Sequence, residues 1–240
     1  MRYPGFVTFN KNRIFTLDMP SQIDFYTGIH KGQRDYLSKF SKKAGILNIN
    51  DPEALTKLST DYEELIGHFK VHASLEEQHI HPLLYDRIPE GAIGLEQDHK
   101  RQEQILEGLA KHLKNLSEKP VDFEKRGEIA LEFYRGFNRF ISIYLAHINK
   151  EEESIQPSLW KLCTPGELLN AFNTIISSME PQVLMLNLSI MIPAMNIDER
   201  TILLNGIKVS APPEAYKGVT ALAQRVLSPE DWDELRESTT

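Results

Sequence analysis

Two stretches decide how this chain reads: HASLEEQHIHPLL at residues 72–84 and HINKEEESIQPSL at residues 147–159. In each, a glutamate follows the histidine by four positions and a proline follows it by ten. The first copy carries His72, Glu76 and Pro82, and the second carries His147, Glu151 and Pro157. Residues four apart on an α-helix stand one above the other, with Cβ atoms about 5–6 Å apart. Each stretch, as a helix, therefore offers an imidazole and a carboxylate to one point in space. Both sit at the end of a seam of mostly apolar residues spaced by threes and fours. Leu65, Phe69, His72, Glu76, His79 and Leu83 form one seam, and Phe133, Phe137, Phe140, Tyr144, His147 and Glu151 form the other. That period is the signature of an amphipathic helix.

The helices preceding the two stretches also resemble one another. His30, Lys31, Gln33 and Leu37 correspond to His99, Lys100, Gln102 and Leu106. A helix pair thus repeats as a second pair, which gives a bundle a pseudo-twofold axis. The pattern predicts helices over 21–44, 52–86, 93–116 and 122–161. Their connections are short, so neighbours run antiparallel, and the expected fold is all-α: an up-down-up-down four-helix bundle. No segment of alternating β-branched residues competes with this reading.

Beyond Thr164 the units shorten to about 165–179, 181–194, 197–208, 212–226 and 229–237. Asp51-Pro52, Thr164-Pro165 and Ser228-Pro229 each pair a capping side chain with a proline at the first helical position, and Asn196 with Glu199 forms a capping box. The expected division is a bundle over residues 20–162 and a helical extension over 163–240. The apolar run Val183–Ile192 is expected to pack the extension on the bundle.

Of the 240 residues, 41% are hydrophobic and 25% charged, with a formal net charge of −7, which places the chain among ordinary globular proteins rather than disordered ones. The acidic balance argues against a nucleic-acid partner, which needs a basic face. Val183–Met195 falls short of the roughly 20 residues that cross a bilayer, so no membrane association is expected. The lone Cys163 forms no intrachain disulfide, and residues 1–6 lack a signal-peptide pattern, so the expected location is cytoplasmic.

The eight histidines carry the remaining information. A single seam histidine is more often a hydrogen-bonded core residue than a ligand. Four of them, two in matched units with glutamate, reverse that weighting. His30, His72, His99 and His147 with Glu76 and Glu151 are six donors, too many for one tetrahedral structural zinc. Imidazole and carboxylate without thiolate suit iron, manganese or zinc. A dinuclear iron or manganese centre fits the count best, its carboxylates bridging the ions. Glu103 is an additional metal candidate, with a surface salt bridge as its equal alternative. His68, one turn before His72, is an extra ligand candidate whose favoured reading is outer-layer or surface, and His79, His81 and His112 are read as solvated or capping groups. Gln33 and Gln102 lie on the ligand seams and could hydrogen-bond to ligands. Tyr26 and Tyr144 are read as packing residues.

His30, the His72/Glu76/Glu77 unit, His99 and the His147/Glu151/Glu152 unit together resemble the hemerythrin-like HHE cation-binding domain, in its bacterial form with a C-terminal helical extension. The resemblance covers roughly residues 20–162. It implies a non-haem di-iron centre with His30, His72, His99 and His147 as terminal ligands and Glu76 and Glu151 as bridges. Oxygen-carrying hemerythrins place a second histidine four residues after the one on the third helix, and Glu103 stands there in this chain. The resemblance leaves two classes of function. One is a protein that binds oxygen or nitric oxide, or senses or stores iron. The other is a redox enzyme that reduces nitric oxide or peroxide or assists iron–sulfur cluster repair. Two iron ions are the expected cofactor, with manganese or zinc as substitutes, and a homodimer stays open.

Overall fold

The computed structural model describes residues 23–118 and 123–239. The protein is all-α: a helical bundle followed by a C-terminal helical extension, with no strand among the described residues. The elements are α1 (Thr27–Gly45), α2 (Pro52–His79), α3 (His81–Tyr85), α4 (Pro89–Glu118), α5 (Phe123–Lys150), a π-helical turn (Glu151–Ile155), α6 (Gln156–Leu162), α7 (Pro165–Ser178), α8 (Pro181–Ala194), α9 (Ile197–Ser210), α10 (Pro213–Val226) and α11 (Pro229–Ser238). No single helix among the described residues is long and apolar enough to cross a membrane. The apolar pair α7 and α8, which reaches that length only together, bends by 111° at its junction.

Local chemistry sets the helix ends. The Asp24 carboxylate accepts from the backbone N–H groups of Tyr26 and Thr27, both at 2.9 Å, so α1 begins at Thr27 rather than at the expected residue 21, which lies outside the described residues. Asp51 accepts from Glu53 and Ala54 ahead of α2. Pro89 opens α4 four residues before the expected 93, because a first-turn proline gives up an N–H that has no helical partner there. The expected helix 52–86 breaks at Ile80. Pro82 has no N–H for the carbonyl of Gln78, and α3 restarts as a short helix. The expected helix 122–161 is interrupted just before Pro157 by the π turn, Glu151–Ile155, and continues as α6.

The chain forms two compact units, one of Tyr36–Ile155 and one of described residues 23–35 with 156–239; the first boundary falls inside α1. In the unit Tyr36–Ile155, the later part of α1 packs with α2, α4 and α5 around a continuous apolar core that includes Leu37, Phe40, Leu65, Leu106, Leu113 and Phe133. Aromatic rings set its geometry: Phe40 meets Phe137 edge-on at 4.7 Å, and Phe69 meets Tyr144 at 4.5 Å. Such pairs contribute about 0.5–1.5 kcal/mol beyond the area they bury. The Tyr62 hydroxyl donates to the Leu106 carbonyl at 2.8 Å, so its burial leaves no polar group unsatisfied. The apolar seams of α2 and α5 end in His72/Glu76 and His147/Glu151.

The other unit has its own core. Leu184, Leu188 and Ile192 of α8 pack with Leu204 and Ile207 of α9, Val219 and Leu222 of α10 and Leu235 of α11. The Val183–Ile192 run therefore serves chiefly the core of the extension. Its opposite face meets the first turns of α1, where a Cβ added at Gly32 would lie 2.9 Å from the backbone of Ile190. That approach is open only to glycine. Arg200, buried, donates to the carbonyls of Ile192 and Pro193 at the end of α8 and pairs with Asp231 at 3.0 Å. Capping boxes at Thr164/Glu167 and Asn196/Glu199 start α7 and α9 as expected. Gln156 accepts from the Phe25 N–H at 2.8 Å and donates to the Ile23 carbonyl at 3.0 Å, tying the lead into α1 to α6.

Candidate metal centre

Within the unit Tyr36–Ile155, the ends of α2 and α5 bring their carboxylates and imidazoles to the inner face of α4. Glu76, His99, His147 and Glu151 are all buried, and one ligand atom from each lies within 4.8 Å of the others. Glu76 turns one oxygen to each of two imidazoles: Oε1 lies 3.1 Å from His72 Nε2, and Oε2 lies 3.3 Å from His99 Nε2. On the other side, His147 Nε2 lies 3.2 Å from Glu151 Oε1 and 3.1 Å from His99 Nε2. The i,i+4 spacing of both repeats delivers this contact, because each imidazole sits one turn from its glutamate.

Burial sharpens the electrostatics. Glu76 is 2% and Glu151 0% exposed. Two carboxylates so deep in a protein require positive charge facing them. Burial by itself would push the His99 imidazolium down, but its hydrogen bonds to Glu76 and Glu77 and the charges of Glu76 and Glu151 outweigh this and hold it up at about 9. His99 therefore carries a proton at neutral pH, and supplies part of the compensation. A cation of higher charge, displacing that proton, would supply more. Imidazole nitrogens and carboxylate oxygens converging from three helices, with no thiolate, form a donor set that fits iron, manganese or zinc.

An outer layer surrounds these groups. His99 Nδ1 lies 3.0 Å from Glu77 Oε1. The buried His147 Nδ1 has Asp98 Oδ2 at 3.6 Å, and Asp98 also faces Lys150 Nζ at 3.5 Å. His81 is wholly buried and stacks on His99 at 5.6 Å. Burial first, and the neighbouring His99 second, lower its pKa, so it stays neutral. Its Nδ1 lies 3.8 Å from Glu96, which accepts a hydrogen bond from the Tyr85 hydroxyl.

The sequence-derived candidates sort as follows. His72, Glu76, His99, His147 and Glu151 come together. His30 is wholly buried on α1 and stacks on Tyr26 at 5.3 Å, within the other unit. Glu103 does not join the cluster; it is exposed and pairs with Lys70 at 2.7 Å. The seam of α4 steps from His99 to Gln102, three residues on and buried, which leaves Glu103 on the flank. His68, read as outer-layer or surface, is a core residue, edge-on to Phe69 and Tyr36. His81, read as solvated or capping, lies against the site. In the sequence Glu77 is legible only as part of the His72/Glu76/Glu77 unit and Asp98 carries no signal, although each adjoins a ligand candidate.

The profile of the hemerythrin HHE cation binding domain matches residues 21–159. Among curated proteins, the chain is similar to F-box/LRR-repeat protein 5 of Xenopus tropicalis, 25% identical over 158 residues, covering 66% of this chain and 23% of that protein. The Mus musculus protein of the same name is 24% identical over 160 residues, covering 66% and 22%. The match thus spans less than a quarter of the length of these relatives. No solved structure gives a significant match.

Proposed function

The chain belongs to the hemerythrin HHE cation binding domain family, and from that premise we propose that it is a non-haem di-iron protein that binds a small diatomic ligand, oxygen or nitric oxide. The observation that carries the reading is the placement of Glu76. Its two oxygens each face an imidazole from a different helix, at 3.1 and 3.3 Å, as a carboxylate spanning two cation positions would. Glu151 beside His147 would hold the iron pair as the second carboxylate, and His72, His99 and His147 would offer nitrogens to it. His30 on α1 is proposed as the fourth imidazole.

When bound, an iron pair supplies electrons and a coordination position for the small ligand. The chain's own part is to orient donors and exclude water. The Phe69/Tyr144 pair packs in the apolar core just before His72 and His147, so the donors border an apolar wall on that side. His99, held protonated by Glu76 and Glu77, would give up that proton to a bound cation, so metal uptake would be coupled to proton release. The position of Glu103 weighs between the two functional classes. As a ligand it would have enriched the carboxylate set and favoured redox turnover; its pairing with Lys70 leaves the binding reading better supported.

The test is metal analysis of protein from iron-supplemented cells, followed by optical spectra of the reduced protein with oxygen, nitric oxide and peroxide. About two irons per chain, as in helix-bundle di-metal proteins generally, and a persistent charge-transfer band are expected. Background iron would overturn the reading. Rapid bleaching with substrate consumption would overturn the binding class in favour of the enzyme.

A further inference from the structure

The residues adjacent in sequence to the ligand candidates form a second pattern. Successive residues on a helix point about 100° apart, so the neighbour of an inward donor points sideways, toward the next helix. Glu77, next to Glu76 on α2, reaches His99 on α4 at 3.0 Å. Asp98, next to His99 on α4, lies 3.6 Å from the buried Nδ1 of His147 on α5. Lys150, next to Glu151, returns from α5 to Asp98 at 3.5 Å. Lys150 passes close over Gly94, where an added Cβ would lie 3.3 Å from Nζ.

We propose that Glu77 is a positioning residue that fixes the tautomer of His99, while Asp98, restrained by Lys150, steadies His147 only by its charge at 3.6 Å, so that His99 is the more firmly held donor. This rests on the di-iron reading and adds to it an order among the ligands. A carboxylate only accepts, so Glu77 at 3.0 Å requires the His99 proton to sit on Nδ1 when the ring is neutral. The Nε2 lone pair is then directed at Glu76 and His147. Carboxylate backing of this kind fixes ring orientation and raises the basicity of a ligating imidazole. Asp98 stands farther off and shares its charge with Lys150, so the grip on His147 is weaker.

The test uses the full chain in the variants Glu77→Ala, Glu77→Gln, Asp98→Ala and Lys150→Met. Iron affinity is measured by chelator competition, and imidazole tautomers by nitrogen-15 shifts of the metal-free protein at a pH where both rings are neutral. Glu77→Ala is expected to weaken iron by about 10- to 100-fold and to mix the His99 tautomers. Glu77→Gln, which keeps an acceptor, restores the tautomer but only part of the affinity. Asp98→Ala costs less, and Lys150→Met tightens iron by freeing Asp98, a change of sign that a purely structural lysine would not give. Unchanged His99 tautomers in Glu77→Ala, or weaker iron in Lys150→Met, overturn the proposal. A wild-type protein without iron overturns the di-iron reading instead, and the tautomer measurement still decides the role of Glu77.

Discussion

The two copies of the repeat agree up to the glutamate and part company just after it. In both, the imidazole contacts the carboxylate one turn on, at 3.1 Å in α2 and 3.2 Å after α5. Both rest on an equivalent aromatic, Phe69 and Tyr144, which meet across the core at 4.5 Å. Both then approach a proline that cannot donate to the preceding turn. The first copy breaks at Ile80 and restarts, while the second widens into the π turn. The residue before each proline is buried in both, yet His81 stacks on His99 while Gln156 ties down the lead into α1. One spacing thus fixes a ligand pair, and the next turn is left free to acquire separate tasks.

Glu76→Gln and Glu151→Gln give the largest expected effects and ask whether the copies are equal in the site. Each removes a buried charge from the donor set. Each should weaken iron by more than about 100-fold, beyond the cost of outer-layer changes. Because Glu76 holds one imidazole against each of its oxygens, His72 at 3.1 Å and His99 at 3.3 Å, Glu76→Gln should lose more. Equal losses in chelator competition would erase the difference between the copies.

Acid sensitivity is the next test. Four residues before the motif histidine, the first copy has buried His68 and the second has Ile143. Burial lowers the His68 pKa from 6.5 to about 4. The unfolded chain therefore binds the proton more readily, and stability held above about pH 6.5 falls progressively down to pH 4. The shift corresponds to roughly 3 kcal/mol over that window. His68→Ile, borrowing the residue of the other copy, should flatten this part of the stability profile in denaturant titrations at several pH values. An unchanged acid limb would assign the sensitivity to other groups.

These particulars also show what a sequence can disclose. The seams, the paired His/Glu units and the capped starts of α2, α7, α9 and α11 were legible because each depends on spacing within one helix. Glu103 was ambiguous, since i+4 from His99 is on the ligand face only if the seam takes that step, and it takes i+3 to Gln102. The parts played by Glu77 and Asp98 depend on which helices are neighbours, a tertiary fact. His81 was misread because a histidine before a proline at a helix end is ordinarily solvated. Here α3 turns it back under α4, beside His99.

The contrast between His81 and Gln156 predicts a smaller, opposite pair of effects. Gln156→Leu leaves the Phe25 N–H without its acceptor, while the Ile23 carbonyl keeps the Trp160 indole N–H at 2.7 Å. One unsatisfied group costs about 1–3 kcal/mol, so a loss near the middle of that range is expected in denaturant unfolding. His81→Phe keeps a stacked ring against His99 and gives up the long approach of Nδ1 to Glu96 at 3.8 Å, while Glu96 keeps the Tyr85 hydroxyl. Its effect on stability should be within about 1 kcal/mol of zero, as for volume-conserving core changes. A large loss in His81→Phe would mean that the two pre-proline positions are alike after all.

The smallest effects concern the prolines. Pro82→Ala supplies the N–H that the Gln78 carbonyl lacks, worth about 1 kcal/mol, but relaxes the unfolded chain by about 0.4–1 kcal/mol. These nearly cancel, so α2 should run on through Ile80 with little change in stability. Pro157→Ala should behave differently. The π turn is held at both ends by buried side chains, Glu151 and Ile155, so restoring an N–H at position 157 does not release it. The turn, and with it the His147–Glu151 contact, should persist in a structure of the variant, with iron affinity unchanged. If instead the turn tightens to an ordinary α-helix and iron weakens, the proline and not the burial of Glu151 creates the turn, and the two copies differ only in how they accommodate one residue.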